Sequence, residues 1–459
     1  MTNSIPQSIT RQRSFFETQR TKELSFRKNA LKKLRQEIVT REDAICEAIY
    51  ADFKKPRFES LGTETQLVLG ELNLALKNLE LWARPESVSS PWLNFPSTDK
   101  IYKEPYGTVL IIAPWNYPFQ LVFAPLIGAL AAGNTAVIKP SEITPNTSRI
   151  ISEIVTSVFE PEHVLVVEGG IPVSQELLAE KWDYIFFTGS THVGRIVYES
   201  AAKHLCPVTL ELGGKNPCIV DKTAAISLAA KRIVWGKFLN AGQTCIAPDY
   251  VLVEAEVKDQ LVAALKTSIR KAYGADVEAS TDFARMVSPQ HYSGLKAMLE
   301  ESDILFGGET NDADNYLSPT LVDEPDLNSK LMAGEIFGPI LPIISYTGAQ
   351  TLHKYLSHYD KPLSTYVFSK SRSFQKNIIN SYSFGGGAIN DTMMQYVNKS
   401  LPFGGVGASG IGAYHGKNSF DIFSHRKPMV KRGNWIDIPL RYPPYRLSTT
   451  LAKQFKRLF

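Results

Sequence analysis

The sequence predicts an α/β protein: a doubly wound parallel sheet followed by a second α/β domain. Three observations lead there. Gly107 to Ile138 carries no charged residue, yet Pro114, Asn116, Pro118, Gln120, Pro125 and Asn134 interrupt it. Those breaks suit a buried strand–turn–helix–strand unit better than a membrane span of the same length. Short apolar runs then alternate with helical stretches, as a parallel sheet requires. The alternation restarts after Gly214 and runs to about Asn390.

In chain order, Ser8 to Leu81 places apolar residues at helical spacing, as in Leu31, Leu34 and Ile38, and reads as two or three amphipathic helices packed on a sheet. Pro85 to Pro91 forms a loop that leads into an irregular stretch to Lys103. Strands are predicted at Thr108–Ala113, Thr135–Lys139, Val164–Val167 and Tyr184–Phe187. Helices fit Phe119–Ala131, with Pro118 tolerated at a helix start, and Asn146–Val158. In the second half, Pro217–Val220 and Tyr250–Glu254 read as strands, Ala224–Lys237 as a helix, and a further helix follows Glu256. The boundary falls near Glu211–Gly214, and ligands of such sheets bind at the carboxyl ends of the strands.

A chain of 459 residues is long enough for two or three domains, and 44% apolar with 21% charged residues is ordinary soluble composition. Fifty basic against 46 acidic residues leave a net charge of +4, without the concentrated basic patch that nucleic acid would require. Four scattered cysteines build no disulfide framework and fit a reducing cytosol. The polar start, Met1 to Arg13, lacks the apolar core of a signal peptide.

The chemistry concentrates at two places. Cys245 follows Asn240-Ala241-Gly242-Gln243-Thr244, a polar, small-residue stretch where a packing cysteine gains little. Glu211 stands alone in Leu210-Glu211-Leu212-Gly213-Gly214-Lys215. A thiol attacks carbonyl carbon well, and a neighbouring carboxylate can activate water to release what the thiol has bound. On the residues alone, packing and catalysis stay open for Cys245, whereas Cys46, Cys206 and Cys218 read as small buried apolar groups.

A literal G-x-G-x-x-G at Gly405, Gly407 and Gly410 follows Leu401-Pro402-Phe403 with no βαβ unit after it, so it is not read as a phosphate loop. Phe187-Thr188-Gly189-Ser190-Thr191-His192-Val193-Gly194 is the better anion site, because it leaves a strand and opens a helix. Asn116 ends a strand and either caps a turn or donates to an oxyanion. Lys139 and Glu142 close the next strand, as a surface loop or a ribose site. Histidine and cysteine spacing matches no metal site, and neither a Walker loop nor a G-x-S-x-G occurs.

Seven phrases in order resemble the aldehyde dehydrogenase superfamily. They are Ala113 to Pro118, Lys139 to Glu142, Phe187 to Ser190, Leu210 to Lys215, Gly242 to Cys245, Glu335 to Pro339 and Pro402 to Gly405. The short N-terminus, Gly404 to Gly410 and Leu440 to Tyr445 are similar to its class 3 branch; Gly334 departs from it, standing where many relatives carry a second acid. The resemblance implies a Rossmann-type cofactor domain over 1–84 and 104–212, and a catalytic domain over 213–398. It also implies a small β oligomerisation arm, 85–103 with 415–436, that pairs across a homodimer. Its implied chemistry is attack of Cys245 on an aldehyde, an oxyanion held by Asn116 and the Cys245 amide, hydride transfer to nicotinamide, and thioester hydrolysis by water that Glu211 activates. Lys139 and Glu142 would hold the adenine ribose, Gly189 and Ser190 the pyrophosphate, with Val193 and Gly194 beside them. Glu335 would grip the nicotinamide ribose, Phe337 would fix the ring, and Trp115 and Leu212 would flank the cofactor. Glu142 favours NAD, with NADP tolerated by class 3 relatives.

CoA-acylating and acyl-phosphate-reducing relatives lack the glutamate, and a non-catalytic paralogue would have lost Cys245 or Glu211. Cys–His hydrolysis needs a histidine that the spacing does not supply. The tail, 437–459, sets Leu447, Leu451, Phe455 and Leu458 at helical spacing among Arg446, Lys453, Lys456 and Arg457. It suits either an anionic membrane surface or docking on the protein's own body. The expectation is a cytoplasmic enzyme for an apolar aldehyde, peripheral on a membrane if the tail binds lipid.

Overall fold

The computed structural model describes residues 4–91, 94–437 and 442–444; the tail helix expected over Leu447 to Leu458 lies outside the described residues. The chain divides into two compact units, Met1–Trp82 with Pro105–His425, and Ala83–Glu104 with the chain from Arg426.

The first unit contains both large sheets. The first sheet runs, edge to edge, Gly410–Ile411, Val208–Glu211, Tyr184–Thr188, Thr108–Ile112, Thr135–Lys139 and Val164–Val166. All its pairings are parallel except the short Gly410–Ile411, which lies antiparallel to Val208–Glu211. The charge-free run is the Thr108–Ile112 strand, the wholly buried helix Gln120–Ala132 and the Thr135–Lys139 strand, so its lack of charge reflects burial on all sides. The second sheet has seven strands in the order Ile304–Phe306, Thr320–Asp323, Ile340–Tyr346, Tyr250–Glu254, Pro217–Val220, Ser364–Phe368 and Gly386–Ile389. Only its Ile304–Phe306 edge is antiparallel.

Two features differ from the sequence reading. Residues 8–81 hold more than two or three helices: Ile5–Glu17, Leu24–Thr40, Glu42–Phe53 and Gln66–Ala83, with a short Arg57–Ser60 helix and a π-helical turn Leu61–Thr65. The helical pattern is broken at Arg41 and at Lys54, which takes a left-handed φ of 54°, before Pro56. The expected arm boundary at 415 also moves. Helix Lys417–Ile422 packs on the buried Gln120–Ala132 helix, so residues to His425 belong to the first unit. The chain after 398 likewise returns to the first sheet through Gly410–Ile411.

In the second unit, strand Glu86–Val88 lies antiparallel to Ser97–Pro105, and Ser424–Arg432 completes a three-stranded sheet. Arg426–Glu86 and Lys427–Glu104 ion pairs cross it. Among the described residues, no helix is long and apolar enough to cross a membrane.

Candidate active site

The helix Ile226–Phe238 ends in a turn where Asn240, Ala241 and Gly242 take φ of 55°, 51° and 77°. Consecutive left-handed residues cost roughly 1–2 kcal/mol each when they carry a side chain, and they persist only where surrounding bonds impose them. Those bonds are present. The Asn240 amide N–H donates to Glu59 Oε2 at 2.9 Å, and Asn240 Nδ2 donates to the carbonyls of Asn116 at 2.9 Å and Gln243 at 3.2 Å. Gln243 Nε2 donates to the carbonyls of Asn240 and Arg285, and its Oε1 accepts from Val287 N–H. At Gly242 a Cβ would lie 2.3 Å from the Gly338 carbonyl oxygen, so no side chain fits. The turn thereby delivers Cys245 to the wall of a cavity.

That cavity has a volume of about 920 Å³ and is also lined by Glu211, Thr188, Leu212 and Thr244. Glu211 ends its strand between Thr188 on one side and Gly410 on the other. Asn116 reaches the turn from the end of the Thr108–Ile112 strand, its Nδ2 donating to the Gln243 carbonyl at 3.0 Å. Its neighbour Tyr117 shares a 2.7 Å hydrogen bond with the Thr244 hydroxyl. The structure therefore brings Cys245 and Glu211 onto one cavity, with Asn116 bound two residues before the thiol.

Burial raises the Cys245 thiol far above its ordinary range, and the Glu335 and Glu211 carboxylates push it further in the same direction. Burial also raises Glu211 well above the usual carboxylate range, and neither of its buried oxygens has a hydrogen-bond partner among the described residues. An unpartnered buried carboxylate is costly. It is also a strong base once ionised. Glu335 is pushed up to about 8, by burial first and then by Asp249.

The cofactor candidates gather at the carboxyl ends of the first sheet. Ser190 caps the helix Thr191–Ala202, its hydroxyl accepting from Val193 N–H at 3.3 Å and its carbonyl from Gly194 N–H at 2.9 Å. Gly189 N–H donates to the Glu211 carbonyl, which ties this turn to the end of the Val208–Glu211 strand. Lys139 and Glu142 pair at 2.6 Å, the lysine buried and the acid 41% exposed, so the carboxylate is open to hydroxyl donors. Trp115 and Phe337 meet edge to face at 5.3 Å, and Glu335 lies against Gly213. A helix N-terminus, an exposed carboxylate beyond the next strand and a second buried carboxylate form a donor and acceptor set that fits a dinucleotide.

Residues 3–429 match the aldehyde dehydrogenase family. The chain belongs to that family. The enzyme is 48% identical over 455 residues, 99% of both chains, to a 4,4'-diaponeurosporen-aldehyde dehydrogenase of Staphylococcus aureus. It is 43% identical over 461 residues to aldehyde dehydrogenase family 3 member A2 of Rattus norvegicus, covering 99% of this chain and 95% of that one. A solved structure of the substrate-bound state of Staphylococcus aureus AldH superposes with a TM-score of 0.97 at 48% identity, covering 99% and 100% of the two chains. The class 3 resemblance therefore holds, and the enzyme is an NAD(P)-dependent aldehyde dehydrogenase.

Several groups that shape the dehydrogenase site are absent from the sequence reading. Lys215 Nζ pairs with Asp249 at 2.6 Å and donates to the carbonyls of Leu331 and Gly334, while Asp249 Oδ1 accepts from Ile336 N–H. This buried pair clamps the segment that carries Glu335 from both sides. His291 Nε2 lies 2.9 Å from the Phe337 carbonyl oxygen, and its ring packs on Trp115 at 5.2 Å. Phe337 itself sits at a φ of 56°, so the histidine contact helps hold an otherwise unfavourable backbone. Beside the Tyr117 ring, Lys55 and Glu64 form a wholly buried ion pair at 2.8 Å. No local spacing marks these partners; only Lys215, inside a recognised phrase, could have been singled out.

Proposed function

We propose that the enzyme oxidises a long, apolar aldehyde to its carboxylic acid through a thioester on Cys245. The observation that carries this reading is the shared cavity: thiol and base open onto one space walled by Leu121, Trp235, Ile246, Tyr396, Phe403 and Tyr414. Such a wall buries an extended apolar chain and offers few partners to a polar one. Aldehyde oxidation fits the name of the Staphylococcus aureus relative, a 4,4'-diaponeurosporen-aldehyde dehydrogenase.

Cys245 gives up its proton to solvent as Sγ bonds to the aldehyde carbon, and the carbonyl electron pair moves to oxygen. The Asn116 amide and the Cys245 N–H donate to that oxyanion; such donors are worth roughly 3 kcal/mol each. A bound NAD or NADP would supply the hydride acceptor, and loss of hydride from the adduct would leave a thioester on Cys245. Glu211 then takes a proton from water, the resulting hydroxide attacks the thioester carbon, and the C–S bond breaks. The acid leaves, and the proton held by Glu211 returns to Cys245. Lys139, Glu142, Gly189, Ser190, Val193 and Gly194 would hold the adenosine and pyrophosphate part, and Trp115, Leu212, Glu335 and Phe337 would place the nicotinamide half. In domain terms, 1–84 with 104–212 binds the dinucleotide and 213–398 presents the thiol.

The enzyme acts in the cytoplasm as a homodimer joined through its β arm, and the basic tail accounts for any peripheral contact with a membrane. Steady-state NADH formation over short, aromatic and long-chain aldehydes, with NAD and NADP in separate series, tests the function. Turnover rising with chain length and vanishing in Cys245→Ala is expected. Equal turnover for all aldehydes overturns the substrate class, and full activity in Cys245→Ala overturns the mechanism.

A further inference from the structure

One short stretch, residues 55–65, touches both sides of the reacting centre. Glu64 Oε2 accepts from Phe119 N–H at 3.1 Å and Gln120 N–H at 2.9 Å, which caps the buried helix that begins just after Asn116 and Tyr117. Its other oxygen takes Lys55, whose ammonium also lies 3.9 Å from the centre of the Tyr117 ring. Glu59, between them, accepts the amide N–H of Asn240, the first left-handed residue of the turn that carries Cys245. Asn116 and Cys245 come from distant parts of the chain and must meet within a fraction of an ångström of the right geometry. Both are referenced to this one segment, which contains the π-helical turn Leu61–Thr65. The three charges are not equivalent. Glu64 and Lys55 are wholly buried and neutralise each other, whereas Glu59 is half-buried and lines the reaction cavity.

We propose that Glu59 is a positioning residue for aldehyde oxidation: by holding the Asn240 amide it fixes the left-handed turn that sets Cys245 against Asn116. The proposal rests on the mechanism above and deepens it. A positioning carboxylate at the cavity wall acts on the attack step, because a strained turn released at Asn240 lets the thiol drift from the oxyanion donors. Aldehyde binding depends on the apolar walls and is spared.

The carboxylate also makes the brace sensitive to pH. Burial pushes Glu59 up to about 7, with Lys55 and the Asn240 amide pulling it down and Asp282 pushing it up. The phenols of Tyr117 and Tyr273 face it as well, and Lys231 and Lys271 line the same cavity. The ionised form is the better acceptor for Asn240, so the brace is present above about 7 and weakens as pH falls through that value.

The test uses the full chain, with Glu59→Ala and Glu59→Gln compared to the parent. Pre-steady-state NADH bursts are followed from about pH 5.5 to about pH 8.5, alongside the alkylation rate of Cys245 by iodoacetamide, read by peptide mass. In Glu59→Ala the burst rate should fall by about tenfold or more near pH 8, with KM for the aldehyde changed less than about twofold. Glu59→Gln, whose amide oxygen still accepts from Asn240, should keep the rate within about threefold and lose the acid limb near 7. A burst at the parental rate in Glu59→Ala, or a loss confined to KM, overturns the proposal. If Glu59→Ala does not fold, an acid limb retained unchanged in Glu59→Gln overturns it. If the parent oxidises no aldehyde, the proposed function fails by itself; Cys245 alkylation that differs between parent and variants then still supports Glu59, and identical rates overturn it.

Discussion

The Glu335 carboxylate fills the space that a side chain at Gly213 would need: a Cβ there would lie 1.9 Å from Oε2. The clashing atoms are the far end of a flexible side chain, so the conflict resolves by moving Glu335 and leaves the backbone in place.

Gly213→Ala should therefore spare the fold and weaken the cofactor. KM for NAD is expected to rise by about tenfold with the melting temperature held within a few degrees. Measuring both on one preparation decides it: a large fall in melting temperature with KM unchanged would mean that residue 213 serves packing alone.

Lys215 and Asp249 are 3% and 4% exposed, so removing one partner leaves an uncompensated buried charge. Lys215→Met should lower the unfolding free energy by about 3–5 kcal/mol. It also frees the carbonyls of Leu331 and Gly334, and so loosens Glu335. Equilibrium denaturation in urea gives the number, and a loss below about 1 kcal/mol would contradict the clamp.

Glu211→Gln should still form the thioester but fail to release it. A single burst of NADH, close to one per active site, followed by turnover reduced by about a hundredfold or more is the expected trace. In the parent, burial places the Glu211 ionisation well above the usual carboxylate range. Deacylation therefore declines as pH falls through that raised value, because protonated Glu211 takes no proton from water. Deacylation that stays constant down to the ordinary carboxylate range would show that another group activates the water.

Glu335 gives a stability prediction with a definite sign. Its value moves from 4.5 to about 8 on folding, so the folded protein keeps a proton that the unfolded chain releases. That contribution is complete below 4.5 and is lost as pH rises through about 8. Glu335→Gln removes the ionisation, so its stability relative to the parent should increase with pH across the same window. Denaturant midpoints of the two proteins that run parallel over that range would refute the assignment.

Much of the first sheet was legible because its signals are local. The charge-free run from Gly107 to Ile138 could be resolved into strand, helix and strand by its prolines and asparagines, and the observed bounds differ by only a residue or so at each end. The helices of residues 8–81 were harder, since the break at Arg41 carries no glycine or proline and the one at Lys54 is marked only by Pro56 beyond it. Cys245 and Glu211 stood out as chemistry, and the ordered phrases around them identified the family. Glu59 could not stand out: it is one glutamate among many, and its partner Asn240 lies 181 residues away. The same holds for Lys215 and Gly334, 119 residues apart, and for His291 and Phe337, 46 apart.

The sequence by itself determined the family and pointed to the candidate reactive atoms, because a thiol, a carboxylate and short glycine-bearing turns are properties of consecutive residues. The tertiary structure alone decided how those atoms are held. Three left-handed residues before Cys245 and two Glu211 oxygens without a hydrogen-bond partner among the described residues are tolerated because the folded chain surrounds them. Buried charge pairs and long-range hydrogen bonds supply that support, and such contacts exist only once distant segments have met.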